Sequence, residues 1–84
     1  MDFLLKDQKV VIEVKKTRVN LADREIGDEL LIDIARYRSH LDCGTLICFI
    51  YDPDHRIQNP FGLKTDLELQ SSDDLAVMVR ISPN

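Results

Sequence analysis

Met1-Asp2-Phe3-Leu4-Leu5-Lys6-Asp7-Gln8-Lys9-Val10-Val11-Ile12-Glu13-Val14-Lys15 opens the chain and decides its fold. Two apolar runs, residues 3–5 and 10–14, flank the polar residues 6–9, which is the pattern of an antiparallel hairpin. With the turn centred on Asp7-Gln8, opposed residues have numbers summing to fifteen: Leu5 with Val10, Leu4 with Val11, Phe3 with Ile12, Asp2 with Glu13. Directly opposed side chains point to one face, as do alternate side chains along a strand. Asp2, Glu13 and Lys15 therefore share a face. Phe3, Leu5, Val10, Ile12 and Val14 share the other, which is expected to anchor the core. A slip of one residue would reverse the faces of one strand relative to the other. Asp-Gln lacks the residues that a two-residue turn favours, but a four-residue loop closing Leu5 to Val10 keeps the same register.

Beyond the hairpin, Asn20-Leu21-Ala22-Asp23 has the spacing of a helix start, a capping side chain followed three residues later by an acid. Ile26, Leu30, Leu31, Ile34, Ala35, Tyr37 and Leu41 recur at helical intervals and predict an apolar stripe over about residues 23–41. Acids at its start and Arg36, Arg38 and His40 near its end suit the helix dipole. Gly27 is discordant, and marks a loose first turn or a close backbone approach. Gly44 is expected to end the helix with a positive φ. Residues 45–51 form an unbroken apolar run, the signature of a strand covered on both faces. Strand, helix and buried strand make a right-handed βαβ crossover.

Asp52-Pro53-Asp54-His55 reads as a turn, and as a metal site far less readily. Asn59-Pro60 and Gly62 suggest a second turn. Residues 63–69 suit a short helix with Leu63, Leu67 and Phe61 facing inward. Leu75, Val77, Val79 and Ile81 alternate as a last strand, which Pro83 closes. The order ββαβ(α)β gives an α/β fold in a single domain over residues 1–84, with a mixed sheet of about four strands, one long crossover helix and a short second helix.

The composition, 44% hydrophobic and 31% charged in 84 residues, is that of a globular domain. No apolar run approaches the ~20 residues that span a membrane, and the start lacks a signal-peptide pattern, so a cytoplasmic location is expected. Cys43 and Cys48 do not form a CxxC unit and lack a histidine pair at zinc-finger spacing; Cys48 lies in an apolar run and reads as a reduced core thiol. That spacing also disfavours a thiol-redox protein. Residues 1–24 hold six bases and four acids, a net +2, while the remainder holds five bases and eleven acids, a net −6. A polyanion should therefore approach the N-terminal third, where Lys16, Arg18 and Arg24 could meet phosphates. The competing reading is a solvated hairpin edge protected by lysines.

Two opposed carboxylates offer a place for a hard cation such as Mg²⁺, and a lysine two residues along the same face would sit beside it. Such a set serves phosphodiester hydrolysis, with the metal polarising the phosphate and the ammonium orienting the nucleophile or stabilising developing charge. Without metal the same residues are a surface ion-pair cluster.

Asp2, ten intervening residues and then Glu13-Val14-Lys15 on an apolar hairpin, followed by a helix and a buried strand, resemble the PD-(D/E)XK nuclease superfamily, the restriction-endonuclease-like fold. The run Glu25-Ile26-Gly27-Asp28-Glu29-Leu30-Leu31-Ile32-Asp33-Ile34-Ala35-Arg36-Tyr37-Arg38, ahead of residues 46–53, also looks like prokaryotic members associated with restriction or defence. The resemblance implies that Asp2 and Glu13 hold Mg²⁺ or Mn²⁺, that the Val14 backbone carbonyl adds a ligand, that Lys15 is the catalytic lysine, and that the substrate is DNA. Arg24, Glu25 and Tyr37 lie where such nucleases place supporting groups. The family core begins with a helix and a strand ahead of the motif aspartate, so the resemblance implies a core lacking those two elements, the C-terminal piece of a longer protein. A sheet edge left uncovered in this way would suit a homodimer. The rival reading is a non-catalytic interaction or dimerisation domain that retains the nuclease fold; Glu13-dependent Mn²⁺ binding separates the two.

Overall fold

The computed structural model describes residues 2–5, 9–21, 23–39 and 44–83, with residues 2–5 described by their backbone alone. Its elements are β1 (Asp2–Leu5), β2 (Val10–Lys16), α1 (Asp23–Arg38), β3 (Thr45–Tyr51), α2 (Pro60–Glu68) and β4 (Ala76–Ser82). The four strands form one sheet in the order β1-β2-β3-β4. β1 runs antiparallel to β2 with Asp2 opposite Glu13, Phe3 opposite Ile12, Leu4 opposite Val11 and Leu5 opposite Val10, the sum-to-fifteen pairing. The turn residues 6–8 lie outside the described residues.

β2, β3 and β4 are parallel, so α1 and α2 are both crossover helices. The two crossovers step across the sheet in the same direction, and right-handed crossovers of that kind must lay their helices on one face. That face holds the core. The row Val11, Leu46 and Val77 and the row Glu13, Cys48 and Val79 are buried there. Ile26, Leu30 and Ile34 of α1 and Leu67 of α2 pack into the same cluster.

The opposite face carries Val10, Ile12 and Val14 of β2, Ile47, Phe49 and Tyr51 of β3, and Met78 of β4, all half-buried or exposed, with Met78 at 53%. Two expectations are corrected here. β3 is covered on one face, not both, and Val10, Ile12 and Val14 flank the core instead of anchoring it. An unbroken apolar run does not reveal which of its faces is covered. The side chains of Phe3 and Leu5 lie outside the description.

The local structure corrects other boundaries. Asn20 caps no helix: Arg18 and Leu21 exchange backbone hydrogen bonds of 3.1 and 2.9 Å, which places Asn20 inside a tight turn. Among the described residues α1 ends at Arg38; His40, Leu41 and Cys43 are outside them. Leu31 and Ala35 of the expected stripe are exposed. Gly44 has no positive φ; Lys9 carries it, at 54°, and the Lys9 carbonyl accepts from the Gly44 and Thr45 amides at 2.7 and 3.0 Å. α2 begins at Pro60, earlier than expected, because the Asn59 side chain accepts from the Gly62 amide at 3.0 Å and Pro60 is suited to the first helical turn. Phe61, on that first turn, is 79% exposed instead of facing inward. The outer edge of β4 is closed by side chains, since the Val77 amide donates to Ser71 Oγ and the Val79 amide to Glu68 Oε2, both at 2.9 Å. An edge satisfied in this way resists addition of another strand.

Candidate active site

Parallel strands of an α/β sheet present their carboxyl ends to ligands. At this end, residues leaving β2 border an open cleft of about 470 Å³, lined by Lys15, Lys16, Thr17, Arg18, Leu21 and Glu29 among others. Glu13 and Lys15 point from β2 toward α1. Glu13 is 3% exposed, and on the same face Lys15 reaches outward along α1 toward the cleft.

The Lys15 ammonium is held by three carboxylates. Its Nζ donates to Glu29 Oε1 at 3.0 Å, and lies 3.4 Å from Asp33 Oδ2 and 3.6 Å from Glu13 Oε1. Burial works against its charge, but the Glu29 hydrogen bond and the charges of Asp33 and Glu13 outweigh it, raising the pKa above the usual 10.5. Asp33 is 8% exposed, and its Oδ1 lies 3.4 Å from Arg36 Nη2. Burial pushes the Asp33 carboxyl up; the Lys15 and Arg36 charges beside it more than reverse this and hold it below 3.8. Arg36 in turn donates to the Tyr37 hydroxyl at 3.2 Å and stacks 4.8 Å from the ring centroid.

The structure therefore brings Glu13 and Lys15 together. Asp2 is opposite Glu13 in the backbone register, and its side chain lies outside the description. Val14 borders the cleft, as do Lys16 and Arg18, both exposed. Arg24 is exposed on the first turn of α1 and lines a separate hollow with Leu63 and Asp66. Glu25 is also exposed on that turn, and Tyr37 is half-buried against the core.

Asp33 and Glu29 escaped the sequence reading. The signal for Asp33 was present, because it falls with Ile26, Leu30 and Ile34 on the buried face of α1, and an acid there has to be compensated by a partner. Asp52-Pro53-Asp54-His55 is a turn, closed by the His55 amide donating to the Asp52 carbonyl at 3.3 Å. Cys48 is a free, buried thiol, and burial pushes its pKa up to about 12.

Among the described residues, no group of three His, Cys, Asp or Glu side chains is placed to hold a metal. The donor chemistry nevertheless fits a hard cation: Glu13 presents a buried carboxylate on β2, with the Val14 backbone carbonyl next to it on the same strand. No described helix is long and apolar enough to cross a membrane.

An α/β sheet with a buried glutamate and a lysine two residues apart on one strand, beside a cleft at its carboxyl end, defines a restriction-endonuclease-like protein of the PD-(D/E)XK class. The chain belongs to the DpnII-MboI restriction endonuclease family, whose model, REase_DpnII-MboI, matches residues 1–84. Membership makes it a nuclease domain that binds DNA, in a family usually dependent on a divalent metal. No curated protein and no solved structure matches the chain.

Proposed function

We propose that the domain, residues 1–84, belongs to a cytoplasmic, prokaryotic endonuclease of restriction or defence that hydrolyses phosphodiester bonds in DNA with Mg²⁺ or Mn²⁺. The observation that carries the reading is the Lys15 ammonium 3.6 Å from the buried Glu13 carboxylate, at the mouth of the cleft. Asp2, Glu13 and the Val14 carbonyl would hold the cation, which when bound polarises the phosphate and acidifies a water. Lys15 orients the nucleophile and stabilises charge developing on the phosphate oxygens. Lys16 and Arg18, exposed along the cleft, meet flanking phosphates, with Arg24 extending the basic surface.

Calorimetric titration with Mn²⁺ and cleavage of duplex DNA test the reading together. Glu13→Ala should remove Mn²⁺ binding and cleavage, and Lys15→Ala should remove cleavage while Mn²⁺ still binds. Cleavage that survives both changes would refute the assignment. The uncovered sheet face with Phe49, Tyr51 and Met78 favours a second reading, a domain that keeps the nuclease fold and pairs with a second copy through that face. A dimer in sedimentation, with no Mn²⁺ binding, is what that reading expects.

A further inference from the structure

We propose that Asp33 is a positioning residue for Lys15, holding its ammonium over Glu13 in the geometry that the reaction uses. The proposal rests on the nuclease reading above and adds a group from α1 to a site so far assigned to the hairpin alone.

A lysine has a long stem with many rotamers, and left alone at the mouth of an open cleft it would sample most of them. Lys15 does not have that freedom. Of the carboxylates around it, Glu29 makes the shortest contact, at 3.0 Å, but is half-exposed and shares its charge with solvent. Asp33 is the fixed point. It is buried, and its helix is anchored by Ile26, Leu30 and Ile34 in the core. Arg36 secures Oδ1 at 3.4 Å, leaving Oδ2 directed at Lys15 at 3.4 Å. Held from that side, the ammonium lies 3.6 Å from Glu13 Oε1, the other member of the pair.

Packing alone gives no reason for an acid at this place. On a helix face whose neighbours are isoleucine and leucine, an aliphatic residue would be buried at far lower cost than a carboxylate. The compensation that makes Asp33 tolerable is the Lys15 and Arg36 charge, so lysine and aspartate fix each other. A group pre-set in this way needs no reorganisation when charge develops on a phosphate.

Asp33→Asn keeps the shape and removes the charge. Three measurements on the full chain decide the matter: DNA cleavage kinetics, Mn²⁺ affinity, and the ¹H–¹⁵N signal of the Lys15 ammonium, visible only when the group is held and shielded from exchange. Asp33→Asn should lower kcat ~100-fold with KM changed less than about threefold, as expected for lost orientation. Mn²⁺ affinity should stay within about threefold, the Lys15 signal should vanish, and Asp33→Glu should restore part of kcat. Adding Asp33→Asn to Lys15→Ala should cost nothing more, because the two act as one unit. Multiplying losses in the double variant, an unchanged kcat, or a persistent Lys15 signal would each overturn the proposal. A tenfold or greater loss of Mn²⁺ affinity would do so too, by making Asp33 a metal ligand. Should Asp33→Asn fail to fold, Arg36→Gln, which leaves the apolar face of α1 whole, must lower kcat in the same direction. Absence of both cleavage and Mn²⁺ binding in the wild-type chain would sink the nuclease reading itself, and the Lys15 signal would then decide alone whether Asp33 holds the lysine.

Discussion

The Thr17 hydroxyl donates to the Asp52 carboxylate at 2.7 Å, tying the end of β2 to the end of β3 beside the cleft. Asp52 is 3% exposed and also accepts from the Arg56 amide at 2.8 Å and the Ile57 amide at 3.0 Å. Burial pushes its pKa up, but the three hydrogen bonds prevail and hold it below 3.8. A depressed carboxyl contributes stability that is complete above its unfolded value and lost as the pH falls through the folded one. Urea unfolding between pH 7 and 2 should show the loss below about pH 4 in the wild type, and a flatter profile in Asp52→Asn. Asp52→Ala should cost about 3 kcal/mol at pH 7, since it strands the buried Ile57 amide and the half-buried Arg56 amide.

The one-sided sheet makes a second prediction. Met78 and Val79 are neighbours on β4, yet Val79 is buried in the core and Met78 faces away from it. Val79→Ala should destabilise the fold by about 2 kcal/mol, whereas Met78→Thr should change stability by roughly 0.5 kcal/mol or less. Equal losses in denaturant titrations would mean that both faces are covered in solution.

How much of this was legible in the residues differs between fold and site. Hairpin register follows from the period-two alternation about Asp7-Gln8, because a shift of one residue would have mismatched the two apolar runs. The crossover helix follows from the recurrence of Ile26, Leu30 and Ile34. The covered face was not legible, because residues 45–51 are apolar on both sides and only the direction of the second crossover decides where the helices lie. At the site, Glu13 and Lys15 were visible because they lie close on one strand. Asp33 comes eighteen residues after Lys15, and its relation to Lys15 is tertiary. The start of α2 was obscured for a related reason: Asn59 reads equally as a turn residue or a cap, and the amide it bonds, Gly62, settles which.

Gly27, the discordant residue of α1, faces α2. A Cβ built on it would lie 3.4 Å from Leu63 Cδ1, at the edge of ordinary contact. Alanine therefore fits if Leu63 shifts slightly, and it removes the helix-interior penalty of glycine. Gly27→Ala should raise stability by up to ~1 kcal/mol, while Gly27→Val, with its added methyl groups against Leu63, should lower it by about 1–2 kcal/mol. Thermal unfolding of the pair measures both signs, and a loss in both variants would show that the helices meet too closely for any side chain.

The Lys15 cluster has its own pH signature, independent of any cleavage assay. Its ammonium has a raised pKa, so the stability it contributes is fully present below the unfolded value of about 10.5 and is lost as the pH rises through the folded one. Lys15→Met keeps most of the stem and removes the charge, leaving Glu13, Asp33 and Glu29 to repel each other at neutral pH. The variant should be less stable than the wild type by about 2 kcal/mol at pH 7, a partly buried pair being broken on one side only. Without the ammonium, the folded carboxyl groups take up protons more readily than the unfolded chain does, so the deficit should shrink as the pH falls from 7 toward 4. It should also shrink in strong alkali, as the pH rises through the raised folded value and the wild-type lysine loses its own charge. Urea unfolding across that range, read as the difference between the two proteins, should be largest near neutrality. A difference constant with pH would mean that Lys15 contributes through packing of its stem and that the three carboxylates do not bear on it.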